Sequence, residues 1–166
     1  MSVYIRKATL EDALRCAEIH SRSWDFAYSS CVPHEEIEKL TERSPMIWKR
    51  MLEKEPHNNY VVIEQDETVG ILTFGKARDK DLPDTTGELV GLYLDPEHIG
   101  LGIGTKVMEF VKSDLKAAGF STMVLWVLDQ NYRAKTFYEK FGFKFDGTKK
   151  PSGLGERLEE RYITEL

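Results

Sequence analysis

A glycine-rich turn between an apolar strand and a long helix constrains the fold of this chain more than any other feature. Residues 88–94 predict a strand that Asp95-Pro96 ends, and the turn Gly100-x-Gly102-x-Gly104 leads into a helix that Gly119 closes. A second apolar strand is predicted over 123–128. Because strand–helix–strand crossovers are almost always right-handed, we expect these two strands to lie parallel in one sheet.

The segments on either side of this unit predict further strands and helices. Alternating or β-branched apolar residues indicate strands over 3–7, 60–64, 69–74, 143–145 and 161–163, with a polar hairpin turn at 65–67. A helix is predicted from Asn131 to Gly142. The resulting order predicts one α/β domain over 1–166, with a mixed, mostly antiparallel central sheet of about seven strands flanked by helices.

The region between the first and second strands predicts helices. The capping-box sequence from Thr9 to Asp12 begins one whose predicted apolar face comprises Leu10, Leu14, Ala17, Ser21, Trp24 and Tyr28. Pro33 ends that segment, and a short helix containing Ile37 and Leu40 and another from about Pro45 should follow. The charged segment 76–87 predicts a mobile loop.

Composition excludes several functional classes. The net charge of −5 argues against a nucleic-acid-binding protein, which needs basic patches, and mildly favours a cationic partner. The sequence contains no run of eighteen apolar residues, so no membrane span is predicted. The N-terminal residues also lack a signal-peptide pattern, and we therefore expect a cytoplasmic protein. Cys16 and Cys31 are expected to be reduced thiols, and the scattered histidines predict no metal site.

The glycine turn has the chemistry of a phosphate-binding loop. Glycines allow close approach of the backbone to a ligand, and a helix N-terminus adds N–H donors and partial positive charge. On this segment alone, a tight turn without a ligand is about equally consistent. A dinucleotide loop fits less well, because the spacing is GxGxG and the turn lies past mid-chain, and no Gly-Lys-Ser/Thr of a Walker A loop follows.

Two motifs in order resemble the signatures of the GNAT superfamily of N-acetyltransferases. The first, from Glu97 to Gly104, is similar to the family's acetyl-coenzyme A loop, except that Ile99 occupies the position of its usual Arg or Gln. The second is Asn131-x-x-Ala134-x-x-Phe137-Tyr138 with Gly142-Phe143. The stretch from His20 to Tyr28 resembles one subgroup of small bacterial-type acetyltransferases, so the likeness spans essentially the whole chain.

The resemblance implies a GNAT fold and a site for acetyl-CoA. Its expected cofactor-binding residues are Leu92, Tyr93, Leu94, Ile99, Gly100, Leu101, Gly102, Ile103, Gly104, Thr105, Asn131 and Lys140. It places Tyr138 as the general acid for the departing thiolate and Trp24 and Tyr28 at the acceptor groove. Each aromatic side chain also fits a purely structural role in the core, and Asn131 and Lys140 also fit roles in capping and solvating their helix.

Proton chemistry adds a candidate base. An amine with a pKa near 10.4 is neutral in only about one molecule in two thousand at pH 7, so the reaction needs a proton acceptor. Glu88 begins the strand beside the expected cofactor site and is our candidate, although a solvated glutamate at the end of a strand is nearly as consistent.

The expected function is acetyl transfer from acetyl-CoA to a primary amine. The acceptor is left open between a polyamine, an amino-acid analogue, an antibiotic and a protein or peptide amine, and a homodimer is also left open. The alternatives are a non-catalytic acyl-CoA-binding sensor and an acyltransferase that uses another nucleophile or a longer acyl chain.

Overall fold

The computed structural model describes residues 2–54 and 58–166. Its helices are α1 (Ala13–Tyr28), α2 (His34–Lys54), α3 (Ile103–Ala117) and α4 (Tyr132–Glu139). Its strands are β1 (Val3–Lys7), β2 (Asn59–Glu64), β3 (Glu67–Lys76), β4 (Thr86–Leu94), β5 (Thr122–Leu128), β6 (Lys144–Pro151) and β7 (Leu158–Glu165). Among the described residues, none of these helices is long and apolar enough to cross a membrane.

The strands of the described residues form one seven-stranded sheet in the order β1-β2-β3-β4-β5-β7-β6. The pairs β1–β2, β2–β3, β5–β7 and β6–β7 are antiparallel. The pair β4–β5 is parallel, as the crossover argument predicts, with a register from Thr86 opposite Thr122 to Leu89 opposite Leu125. The rest of β4 lies beyond this register, on the way to the glycine turn.

The chain divides into two compact units. The first contains the residues up to Thr73 together with Gly91–Val107, and the second contains Phe74–Val90 and Met108–Leu166. In the first unit α1 and α2 pack on the core cluster Ala8, Ala13, Cys16, Ala17, Ile19, Trp48, Leu52, Val61, Ile63 and Ile71. In the second unit Met108, Val111 and Leu115 of α3 are buried, as are Met123, Val124 and Leu125 of β5.

The hairpin turn between β2 and β3 lies where the sequence predicts it, although Glu67 of the predicted turn is already the first residue of β3. Gln65 and Asp66 both have positive φ, at 50° and 64°. This conformation is that of a two-residue turn whose twist matches the strands it joins. The polar sequence after β2 therefore predicts both the turn and the antiparallel pairing.

The first helical region differs from its prediction in two respects. The capping box is present, with the Asp12 carboxylate accepting a hydrogen bond from the Thr9 N–H at 2.7 Å. However, residues 10–12 form a 3-10 turn and the α-helix begins only at Ala13. The predicted apolar face is wrong at Leu10 and Leu14, which are exposed. The buried residues of α1 are Ala13, Cys16, Ala17, Ile19 and Ser23.

A single helix replaces the two short helices predicted after Pro33. Helix α2 continues through Pro45, although proline removes one helical hydrogen bond and costs about 3 kcal/mol in a helix interior. Ile37, Trp48 and Leu52 on both sides of the proline are buried. Burial of these side chains offsets the cost, which local sequence signals do not report.

The loop 77–85, for which composition predicts mobility, accepts hydrogen bonds from side chains of the sheet. Asp79 accepts a hydrogen bond from the Trp126 indole N–H at 2.9 Å. Arg161, which is buried in β7, donates to Asp79, Asp81 and Asp146. Arg78, Asp79 and Asp81 of this loop pair with Glu88 and Arg161 of the sheet, so these contacts oppose the mobility that composition predicts.

Candidate active site

The glycine turn leaves β4 through Asp95 and enters α3 at Ile103. After a 3-10 turn over Pro96–His98, the backbone takes positive φ at Gly100 (84°) and Gly102 (81°). No atom lies within 4 Å of a Cβ built on either glycine. The conformation, rather than crowding, therefore requires glycine, and the open space allows a ligand to approach the backbone. The N-terminus of the 15-residue helix α3 then supplies donors for an anion.

The expected cofactor-binding residues of the first unit lie together along this path. Leu92, Tyr93 and Leu94 end β4 and are half-buried. The segment 99–105 forms the turn and the start of α3, with Leu101 exposed and Ile103 buried. The side chain of Ile103 is buried, so Ile103 can contact a ligand only through its backbone.

Ile99 stands where the resemblance expects a polar side chain. Lys106 and His98 are the nearby side chains that could in part replace the missing Arg or Gln. Lys106 is exposed in the first turn of α3. The His98 Nε2 lies 3.7 Å from a carboxylate oxygen of the buried Glu64, so His98 faces an acid.

In the second unit, α4 holds the second set of expected residues. The Asn131 side chain accepts a hydrogen bond from the Ala134 N–H at 3.2 Å and caps the helix. Tyr138 is half-buried, and its ring packs edge-on against Phe137 and Phe143 at centroid distances of 5.4 and 5.9 Å. Lys140 is exposed just after the helix.

Glu88, also in the second unit, is a buried carboxylate with an arginine partner. Its side chain is 1% exposed. The Arg78 guanidinium donates to both carboxylate oxygens at 3.1 and 2.8 Å, and the Arg78 backbone N–H donates to one of them at 3.1 Å. The hydrogen bond to Glu88 raises the pKa of Arg78. The sequence does not reveal this pairing, because Arg78 lies in a loop ten residues before Glu88.

Trp24 and Tyr28 belong to an aromatic cluster of the first unit. Their rings meet edge-on at 4.8 Å, and Trp24 also contacts the His20 ring. The Trp48 indole N–H donates to His20 Nδ1 at 3.2 Å, and burial lowers the pKa of His20 to about 4. His20 is therefore neutral at pH 7. The Trp24 indole N–H is buried and finds no acceptor among the described residues.

Sequence reasoning missed a set of ion pairs at the end of β4. Asp95 accepts hydrogen bonds from Arg15 and Arg22 of α1, at 3.0 and 2.8 Å. The two arginines are seven residues apart, so they lie on one face of α1, and this spacing is the one signal that the sequence offers. The aspartate itself is marked only as the end of a strand.

Titratable side chains outside these groups do not assemble a metal site. No group of three or more His, Cys, Asp or Glu residues with metal-binding geometry occurs in the described part of the chain, and His57 lies outside it. Cys16 and Cys31 are both free thiols.

Comparisons with known proteins agree on one family. The model of the acetyltransferase (GNAT) family matches residues 14–143. The chain is 31% identical to a spermidine N(1)-acetyltransferase of Thermoplasma acidophilum over 171 residues, which covers 98% of this chain and 99% of that protein. It is 34% identical to the peptidyl-lysine N-acetyltransferase YjaB of Salmonella typhimurium, over 57% of this chain and 55% of that protein.

A solved structure shows the same fold over its full length. The PaiA N-acetyltransferase of Thermoplasma acidophilum, solved in complex with coenzyme A, superposes with a TM-score of 0.81 and covers 100% of both chains at 24% identity. This likeness confirms the predicted mixed sheet and its flanking helices.

Proposed function

We propose that this protein, a member of the GNAT acetyltransferase family and an acetyl-CoA-dependent N-acetyltransferase, acetylates a polyamine. Its acceptor in this proposal is a primary amine of a small polyamine such as spermidine. The observation that carries the proposal is the 31% identity to a spermidine N(1)-acetyltransferase over 98% of the chain. The likeness to a peptidyl-lysine acetyltransferase covers 57% of the chain and supports a peptide acceptor less well. The net charge of −5 also suits a polycation.

The turn 99–105 and the end of β4 hold acetyl-CoA in this proposal. Bound there, acetyl-CoA supplies the thioester whose acetyl group is transferred. The backbone N–H groups of Gly100, Gly102 and the first turn of α3 contact the pyrophosphate, and the positive end of α3 favours its charge. The backbone N–H groups of Tyr93 and Leu94 polarise the thioester carbonyl, and such donors are often the largest catalytic term.

Removal of a proton from the amine is assigned to Glu88. At pH 7 this deprotonation represents about 4–5 kcal/mol, on the scale of about 1.4 kcal/mol per pH unit. The Glu88 carboxylate is buried and both of its oxygens accept hydrogen bonds from Arg78, so in this proposal the amine proton reaches it through water. Glu64, the buried acid opposite His98, is the alternative base.

Protonation of the departing coenzyme A thiolate is assigned to Tyr138. A thiolate whose conjugate thiol has a pKa near 8.5 leaves more readily when a nearby donor protonates its sulfur. In this chain the ring of Tyr138 packs against Phe137 and Phe143, and these contacts fix the orientation of the phenol. Asn131 and Lys140 at the two ends of α4 are assigned to pantetheine and phosphate contacts.

Binding of the acceptor amine is assigned to the aromatic side chains of α1. Trp24 and Tyr28 present ring surfaces suited to an ammonium group or an alkyl chain. The family model matches residues from both compact units, which supports one functional domain over 1–166. Two free cysteines and the use of acetyl-CoA support a cytoplasmic location.

A thiol-release assay over an amine panel tests the acceptor. The panel contains spermidine, a diamine, a lysine-containing peptide and an amino-acid amine, each with acetyl-CoA, and mass spectrometry identifies the acetylated product. We expect the highest kcat/KM with spermidine. A higher kcat/KM with the peptide would assign the acceptor to a protein amine, and release of coenzyme A with none of them would refute the polyamine proposal.

A further inference from the structure

Asp95 is a buried charge at the junction between β4 and the glycine turn. Its side chain is 1% exposed. Its Oδ1 accepts a hydrogen bond from the Glu97 N–H at 3.2 Å and thereby caps the 3-10 turn over Pro96–His98. Its own N–H donates to the Val69 carbonyl at 2.8 Å. A buried carboxylate is unfavourable unless it is paired, so its partners determine how the chain leaves β4.

Both charged partners of Asp95 come from helix α1. Arg15 and Arg22 donate to the same oxygen, Oδ2, at 3.0 and 2.8 Å. One residue further along α1, the Ser23 hydroxyl donates to the Leu94 carbonyl at 2.6 Å. The last residue of β4 and the first residue after it are therefore both held by α1.

The two arginines have different additional contacts. Arg15 also donates to the Thr68 carbonyl at 3.0 Å and pairs with Glu18 at 2.9 Å, so it connects α1 to the beginning of β3. Arg22 instead reaches Glu97 at 3.4 Å, within the 3-10 turn that leads to Gly100. Removal of Arg22 leaves Asp95 with Arg15 as a partner, so the buried charge remains paired.

We propose that Arg22 is a positioning residue for acetyl-CoA binding, which acts by fixing Asp95 and Glu97 and hence the path of the chain into the glycine turn. The inference rests on the proposed role of residues 99–105 in binding acetyl-CoA. Backbone donors bind an anion well only when their geometry is set in advance, and errors of about 1 Å are costly. Arg22 itself contacts no cofactor atom in this proposal.

The pair Arg6–Asp12 provides a matched control. Arg6 donates to both oxygens of Asp12 at 2.8 and 2.9 Å, and its side chain is 41% exposed, against 39% for Arg22. It also connects a strand to the N-terminal end of α1, and its hydrogen bonds within the described chain go to Lys7 and Asp12, not to Asp95 or the glycine turn. Arg6→Gln and Arg22→Gln therefore each remove a half-exposed arginine from a buried aspartate of the same unit, and Asp12, unlike Asp95, keeps no second arginine among the described residues.

Steady-state kinetics and calorimetry with coenzyme A distinguish a positioning role from a structural one. We expect Arg22→Gln to raise the KM for acetyl-CoA and the Kd for coenzyme A by about tenfold, with kcat at saturation and the acceptor KM within about threefold of wild type. Arg22→Lys keeps a cation near Asp95 and should recover part of the affinity. Arg6→Gln removes the arginine paired with the buried Asp12, so it should lower the urea midpoint at least as much as Arg22→Gln, and it should leave the KM for acetyl-CoA unchanged.

Equal acetyl-CoA KM values for wild type, Arg22→Gln and Arg6→Gln would overturn the inference, as would a KM that rises in both variants together. Gly102→Val separates this failure from failure of the proposed cofactor site. If Gly102→Val weakens coenzyme A binding and Arg22→Gln does not, only the positioning role is wrong. If neither variant weakens it, the turn is not the cofactor site and the inference is wrong with it. Should Arg22→Gln not fold, Arg22→Lys and Glu97→Gln carry the same test.

Discussion

Substitution of Gly102 by valine should weaken acetyl-CoA binding, because it strains the backbone and places a side chain in the space through which a ligand approaches. Gly102 has a φ of +81°, and apart from its chain neighbours no described atom lies within 4 Å of the position that a Cβ would take, so the free protein offers a Cβ no steric obstacle. The left-handed conformation costs an L-residue about 1–2 kcal/mol, and a β-branched residue lies at the upper end. Since the free turn can relax and the bound turn cannot, this cost appears as lost affinity of at least about tenfold, because about 1.4 kcal/mol is tenfold.

Isothermal titration with coenzyme A measures this loss, and two further variants isolate its cause. Gly102→Asn should lose less affinity than Gly102→Val, since asparagine tolerates positive φ and only its side chain then opposes the ligand. Gly119→Val imposes the same strain at the end of α3, where φ is +96°, and should cost stability without a change in affinity. Unchanged affinity in a folded Gly102→Val variant, or an equal loss in Gly119→Val, would refute the reasoning.

Three further predictions concern buried or paired side chains. Glu88→Gln should leave coenzyme A binding intact and lower turnover, with a loss that shrinks at higher pH; a pH–rate profile that superimposes on that of wild type would remove Glu88 as the base. Burial lowers the pKa of His20 from 6.5 to about 4, so the unfolded chain binds a proton that the folded chain does not, and stability falls as the pH drops from about 6.5 to 4. Urea titrations at pH 7 and 4.5 should therefore show a larger loss in wild type than in His20→Gln, and equal losses would contradict this. Burial raises the pKa of Cys16 to about 12, so iodoacetamide at pH 8 should modify Cys31 and leave Cys16 unmodified by mass spectrometry; alkylated Cys16 in folded protein would show the opposite.

Local signals in the sequence predicted the parts of the fold that depend on neighbouring residues. The capping box at Thr9, the turn at Gln65-Asp66 and the glycine turn before α3 each follow from backbone geometry within a few residues. The parallel pairing of β4 and β5 followed from the handedness of the connection. These features predict the element order and a mixed sheet, but not the order of the strands within it.

Features that depend on distant residues were not predictable in the same way. Helix α2 passes through Pro45 because Trp48 and Leu52 are buried against other elements. Strand β6 runs to Pro151, well beyond the predicted 143–145, because pairing with β7 orders a charged edge segment that lacks apolar alternation. The pairing of Arg22 with Asp95 joins residues 73 positions apart, and no periodic pattern marks such a pair.

Single-turnover acetyl transfer by a Tyr138→Phe variant tests the proposed mechanism most directly. Tyr138→Phe keeps the ring contacts with Phe137 and Phe143, so stability and cofactor affinity should change little. General-acid catalysis contributes roughly 10²–10⁴-fold, so single-turnover acetyl transfer to spermidine should slow by about that factor. Tyr132→Phe, an exposed tyrosine on the same helix, should transfer acetyl at the wild-type rate. A chemical step in folded Tyr138→Phe within about threefold of wild type, far short of that contribution, would contradict the account.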